Sequence, residues 1–140
     1  MIPREIILDI VTPERPIVHE RVDEIVMPGA DGQFGVLPGH APLLAQLRPG
    51  ELWYRKGSDK QYLGIEFGLA EVLPERVTVL VTLAERPEEI DVAKVEAARH
   101  DAEEHMRHPV SVEDAERARI AMLGAITRLR VAERARMRRG

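Results

Sequence analysis

Five histidines and 24 carboxylates are the groups in this chain that could do chemistry, and their spacing argues against an active site. His40 lies between turn residues, with no serine or cysteine nucleophile placed to work with it. A catalytic imidazole needs a partner within hydrogen-bond reach, so His40 is read as a structural or docking residue. His100, His105 and His108 crowd one segment, interleaved with Asp101 and Glu104. Asp101 and His105 are four apart and share a helix face, which metal ligands could use, but no metal-binding motif accompanies them. They read as a solvated polar face. Glu88-Glu89 and Glu103-Glu104 are adjacent carboxylates in a highly charged chain and read as exposed charge. Gly32-Gln33-Phe34-Gly35 lacks the Lys-Ser/Thr and following helix of a phosphate loop. Cysteine is absent, which excludes disulfides, thiolate metal sites and cysteine catalysis. An enzyme is therefore the least favoured class, and neither a catalytic nor a metal site is assigned.

The elements that carry these residues fall into two kinds. From residue 4 to 83, short runs rich in Val, Ile, Leu, Trp and Tyr alternate with Gly and Pro breaks. They are Arg4–Val11, Ile17–Val18, Val22–Met27, Leu43–Leu47, Glu51–Arg55, Gln61–Phe67, Leu69–Leu73 and Val77–Leu83. Strands at that spacing predict an antiparallel β-sandwich or barrel. Val77, Val79, Val81 and Leu83 share one face, while Leu80 breaks the alternation and implies some cover on the other. Trp53 and Tyr54 sit on a strand, where core or interface packing is expected.

Beyond Glu85-Arg86-Pro87-Glu88-Glu89 the period becomes helical, with Val92, Val95, Ala98, Ala102 and Met106 on one side of a first helix, Asp91 to Arg107. His108-Pro109 ends it, and Ser111 with Asp114 resembles the capping box of a second. Ala115, Ala118, Met122, Ala125, Leu129 and Ala132 form its seam, widened by Ile120, Leu123 and Ile126. The pattern divides the chain into a β-sandwich over 1–85, a linker over 86–90 and an antiparallel two-helix hairpin over 91–140. Alanine seams bury little area, so the hairpin offsets its ordering entropy poorly and is expected to be a mobile part.

Charge follows the same division. Residues 1–90 hold nine basic and 15 acidic side chains, whereas 117–140 hold eight arginines and one acid, Glu133. A basic helix could bind nucleic acid, but the net charge is −4 and no aromatics interleave, so that class is set aside. No stretch approaches the length of a membrane-spanning helix, and the N-terminus has no signal character. Missing asparagine and an excess of Arg over Lys fit a thermophilic source or a high-GC genome equally.

One segment is more specific than all of these. Gly32-Gln33-Phe34-Gly35-Val36-Leu37-Pro38-Gly39-His40-Ala41-Pro42-Leu43 is stiffened by its glycines and prolines yet carries apolar side chains that pin it to a core. It resembles the G-x-[FL]-G-[VI]-[LY]-P-G-H-A-P-[LF] signature of the epsilon subunits of bacterial F-type, proton-translocating ATP synthases. Leu47-Arg48-Pro49-Gly50-Glu51-Leu52, Gly64–Val72 and Arg128-Leu129-Arg130-Val131-Ala132 extend the likeness over nearly the whole chain.

The resemblance implies a non-catalytic central-stalk (rotor) subunit, peripheral on the cytoplasmic side of the cell inner membrane and touching it only indirectly. It would couple proton-driven rotation to ATP synthesis. Its partners would be the gamma subunit, the ring of c subunits and the alpha and beta catalytic subunits. Gln33, His40 and Pro42 would face the ring or gamma; many relatives carry a carboxylate where Gln33 stands. The C-terminal helices would inhibit ATP hydrolysis, through the basic residues Arg117, Arg119, Arg128, Arg130 and Arg134.

No resident cofactor is implied, but some relatives hold a regulatory ATP through an [IL]-D-x-x-R-A motif. Here it reads Ile90-Asp91-Val92-Ala93-Lys94-Val95, with Lys and Val replacing Arg and Ala. Ile90, Asp91, Lys94 and Arg128 are what remains of that site, since Asp101 and Gly124 stand where relatives carry basic residues. Lys meets phosphate as a point charge without the guanidinium fork. The alternative function is accordingly a nucleotide-sensing module whose hairpin binds ATP.

Overall fold

The computed structural model describes residues 2–139, which form two compact units, 1–85 and 86–140. In the first, ten strands form one ladder: β1 (Ile6–Val11), β2 (Pro16–Val22), β3 (Glu24–Gly29), β4 (Gly32–Val36), β5 (Leu43–Leu47), β6 (Gly50–Lys56), β7 (Asp59–Ile65), β8 (Gly68–Val72), β9 (Arg76–Val81) and β10 (Ala84–Glu85). Their order is β10-β7-β6-β3-β5-β8-β9-β1-β2, with β4 also on β3. β3 and β5 pair only at Gly29 and Leu47, and that corner turns the ladder into two facing layers. Inward residues at every second position close the core: Ile6, Leu8 and Ile10 from β1, Val77, Val79 and Val81 from β9, Leu52 and Tyr54 from β6.

The structure corrects the sequence reading at two points. β1 and β9 pair in parallel, Leu8 opposite Val77 and Ile10 opposite Val79, so the sandwich is not wholly antiparallel. Gly32–Val36, read as loop, is strand β4, which returns along β3 after the turn at Ala30-Asp31. Gly32 adopts φ +132°, and a Cβ on Gly29 would lie 2.8 Å from the Gly32 carbonyl, so the glycines there build a hairpin. Tyr54 is core, whereas Trp53 on the outer face carries Lys60 above its ring, 4.3 Å from the centroid.

The second unit holds a 3-10 turn (Pro87–Glu89) and helices α1 (Val92–Arg107) and α2 (Val112–Arg139). Asp91 caps α1 by accepting the Lys94 N–H at 3.2 Å. Ser111 Oγ accepts the Asp114 N–H at 3.0 Å, but Asp114 reaches back to the Val110 N–H at 3.1 Å, one residue earlier than the reciprocal box expected. At 28 residues α2 runs about 42 Å, against about 24 Å for α1. Its second half therefore passes the start of α1 and meets the 3-10 turn.

Ile90, Val95, Ala125, Val131 and Ala132 form this unit's core, with Leu129 packed on it. The 86–90 segment thus folds with the helices. Val95, Ala102, Ala118, Ala125 and Ala132 are buried as the seam requires. Val92, Ala98 and Met106 are exposed, and Ile120, Leu123 and Ile126 lie outside the seam, because α1 is too narrow a partner to cover them.

Candidate functional site

Leu37-Pro38-Gly39-His40 is a type II turn. Pro38 supplies the fixed φ of its second position, Gly39 the +87° of its third, and the His40 N–H donates to the Leu37 carbonyl at 3.1 Å. The Gly39 N–H donates to the Pro74 carbonyl at 2.8 Å, which fastens the loop to the β8–β9 turn. His40 Nδ1 lies 2.7 Å from the Ala41 carbonyl. A carbonyl only accepts, so in the neutral ring Nδ1 carries the proton and Nε2 is left as an acceptor. The loop is on the surface: His40 is half-buried, while Leu37, Ala41, Pro42, Leu43 and Leu44 are exposed.

Gln33, exposed on β4, helps line a notch of about 470 Å³ between the β3–β4 hairpin end and β5. Leu43, Leu44, Gln46, Phe34 and Asp31 line it too. The structure thus brings Gln33 to the start of β5, whereas His40 and Pro42 lie on the loop that enters β5.

Beside the loop lies an apolar face that the sequence reading did not assign. The β5, β8, β9 and β1 registers set Gln46, Leu69, Leu80 and Val11 in one outward row, with Leu44 and Glu71 in the next. Leu44, Phe67, Leu69 and Leu80 are 70%, 45%, 43% and 52% exposed. The break in alternation at Leu80 was its one sequence signal, but Leu80 turns out to be uncovered. Thr78 and Asp9 continue the second row, where Asp9 accepts from Arg76 at 2.5 Å and contacts His19.

In the helical unit, Arg119 and Arg130 are exposed and share one side of α2 with Leu123, Ile126 and Met137. The successive 100° steps place Arg134 at the border of that side and Arg117 with Arg128 on another. Arg128 and Arg134 are half-buried. Arg119 pairs with Glu116 at 3.0 Å, and that hydrogen bond raises its guanidinium above the usual value. Residues named for a nucleotide have structural duties: Ile90 is core and Asp91 caps α1. Lys94 is exposed, and Gly124 is buried within α2. Among the described residues no group of three or more His, Asp or Glu side chains is arranged for a metal.

Residues 5–87 match the ATP synthase delta/epsilon chain β-sandwich domain, and residues 88–133 match the long α-helix domain of the same chain. The chain belongs to the ATP synthase delta/epsilon family. An ATP synthase epsilon chain from Syntrophobacter fumaroxidans is 46% identical over 127 residues, 91% of this chain and 95% of the relative. One from Herpetosiphon aurantiacus is 47% identical over 131 residues, 94% and 96% of the two chains.

A chain in the Euglena gracilis mitochondrial ATP synthase structure, which contains OSCP, F1 and the c-ring, superposes with a TM-score of 0.83 at 29% identity. The match covers 91% of this chain and 81% of that one. A chain from the Tetrahymena thermophila central stalk and c-ring shares the fold, with a TM-score of 0.61 at 12% identity over 91% of this chain and 96% of that one. Within the delta/epsilon family the two matched domains meet near residue 87, close to where the contacts divide the chain. No helix among the described residues is long and apolar enough to cross a membrane.

Proposed function

We propose that this chain is a central-stalk subunit of an F-type ATP synthase that contains no active site of its own. It docks through its sandwich on a gamma-type subunit and the c-subunit ring, and restrains ATP hydrolysis with its C-terminal helices at the alpha and beta subunits. The reading places it peripherally, on the cytoplasmic side of the inner membrane. One observation carries it: a backbone-pinned type II turn, exposed at the surface, adjoins an uncovered leucine face on a unit that has its own core. A stiff, partly apolar surface docks with little loss of ordering entropy. The similarity to ATP synthase epsilon chains supports the same assignment.

Gln33, His40 and Pro42 are assigned to the ring-facing edge, and the Leu44, Leu69 and Leu80 face to the same docked surface. Arg119 and Arg130, interleaved with Leu123 and Ile126, give α2 a mixed basic and apolar side suited to an acidic protein surface. The sandwich assignment is tested by Leu69→Asp combined with Leu80→Asp, both at exposed positions that leave the core intact. Affinity for a purified gamma-type subunit, measured by surface binding, is expected to fall about 30-fold or more, since two central apolar contacts are replaced by buried charge. The melting temperature of the variant should stay near the parent's; unchanged binding would move the docking surface elsewhere.

A further inference from the structure

Where α1 turns into α2, one imidazole stands between two carboxylates. His105 Nδ1 is 3.3 Å from Asp114 on the first turn of α2, and Nε2 is 3.7 Å from Asp101 one turn back on α1. Asp114 is not free to swing away, because it also accepts the Val110 N–H at 3.1 Å. Ala98, Ala102, Ala118 and Ala121 line the groove beside them, which has a volume of about 310 Å³. Residues this small leave the closed end of the hairpin with little apolar area to hold it.

We propose that His105 is a proton-operated clasp that holds the α1–α2 hairpin shut. A neutral imidazole has one N–H and satisfies one carboxylate, presenting a lone pair to the other. The imidazolium keeps the Asp114 contact, and at 3.7 Å its charge also attracts Asp101, so it answers two negative groups. Closure is thereby favoured by protonation of the imidazole.

The charged neighbours act in both directions, since the carboxylates favour the imidazolium and Arg117 opposes it. On α1, Glu104 is engaged by Arg107 at 3.5 Å, and His108 is exposed beyond the last turn. On α2, Arg117 borders the groove and its charge acts on Asp114 beside that of His105. The Val110 backbone bond first, then His105 and Arg117, hold the Asp114 carboxyl below its ordinary value. A lowered folded-state value means that the Asp114 contribution persists above the carboxylate range and is lost only when strong acid protonates it. Strong acid consequently weakens the clasp by removing the Asp114 charge.

Its consequence for ATP hydrolysis rests on the function proposed above, but the clasp is tested on the full chain alone, so the two can fail separately. Hydrogen exchange by mass spectrometry is measured at about pH 6 and about pH 8 and corrected for the intrinsic chemical rate, with sandwich peptides as reference. Opening of peptides within 98–121 should be about two- to fivefold rarer at the lower pH. His105→Gln should abolish that difference, and His105→Lys, which keeps the charge throughout, should protect equally at both values. A parent chain with no pH difference, or a His105→Gln chain that keeps it, would overturn the proposal.

Discussion

ATP hydrolysis by the assembled catalytic head is expected to rise about fivefold or more when the chain is cut after Glu85. The cut belongs there and not at residue 91. Ile90 is buried with Val95, Val131 and Ala132, and Pro87–Glu89 meets the second half of α2, so residues 86–90 fold with the helices. Cutting at 91 would strand Ile90, whereas cutting after Glu85 keeps β10 paired with β7 through Ala84 and Glu85.

The remaining sandwich has a continuous core of its own, so the truncated chain should still dock and support assembly. Any gain in activity then reports removal of the basic, leucine-bearing side of α2 and not loss of the subunit. Hydrolysis assays of complexes built with full-length and truncated chains decide the matter, with co-purification as the control. Equal rates would leave the helices without an inhibitory role.

Much of this architecture could be read from residue order because one physical rule dominated each segment. Val77, Val79 and Val81 alternate and are buried; Leu43–Leu47 is a strand at the bounds its composition marks. Val95, Ala102, Ala118, Ala125 and Ala132 follow helical spacing into the seam. The reading failed where two rules compete. Glycines at 29, 32 and 35 look like loop residues, yet they lie in a hairpin, where Gly29 meets the Gly32 carbonyl, Gly32 takes a positive φ and Phe34 packs on the core.

Strand direction is no property of a local pattern, so the parallel pairing of β1 with β9 left no mark in either segment. The site divides in the same way. The turn through Pro38 and Gly39 was legible because its backbone angles demand those residues. The leucine face was not, since Leu44, Leu69 and Leu80 come from three strands and meet only in the folded register.

Gly68→Ala should be the most damaging single methyl group in the sandwich. Gly68 opens β8, opposite Leu47 on one side and Val81 on the other. A Cβ there would lie 2.0 Å from the Leu80 carbonyl oxygen and 2.8 Å from the Val81 Cα. These are backbone atoms, so no side chain can rotate to make room, and β8 must separate from β9. Both strands contribute to the core through Ala70, Val72, Val77 and Val79, and a shift there loosens both layers.

The expected cost is about 4 kcal/mol, at the upper end for one substitution. In a unit of this size that lowers the melting temperature by about 20 °C. Gly57→Ala is the contrasting case: its φ of +61° disfavours a side chain, but a Cβ there meets nothing within 4 Å. It should cost only about 1 kcal/mol. Calorimetry of the two variants separates crowding from backbone strain, and equal losses would refute the close approach of β8 to β9. Gly68→Ala should also weaken binding to a gamma-type subunit below the melting range, because Leu69 and Leu80 sit on the two strands being forced apart. That loss would tie the leucine face to the strand spacing beneath it.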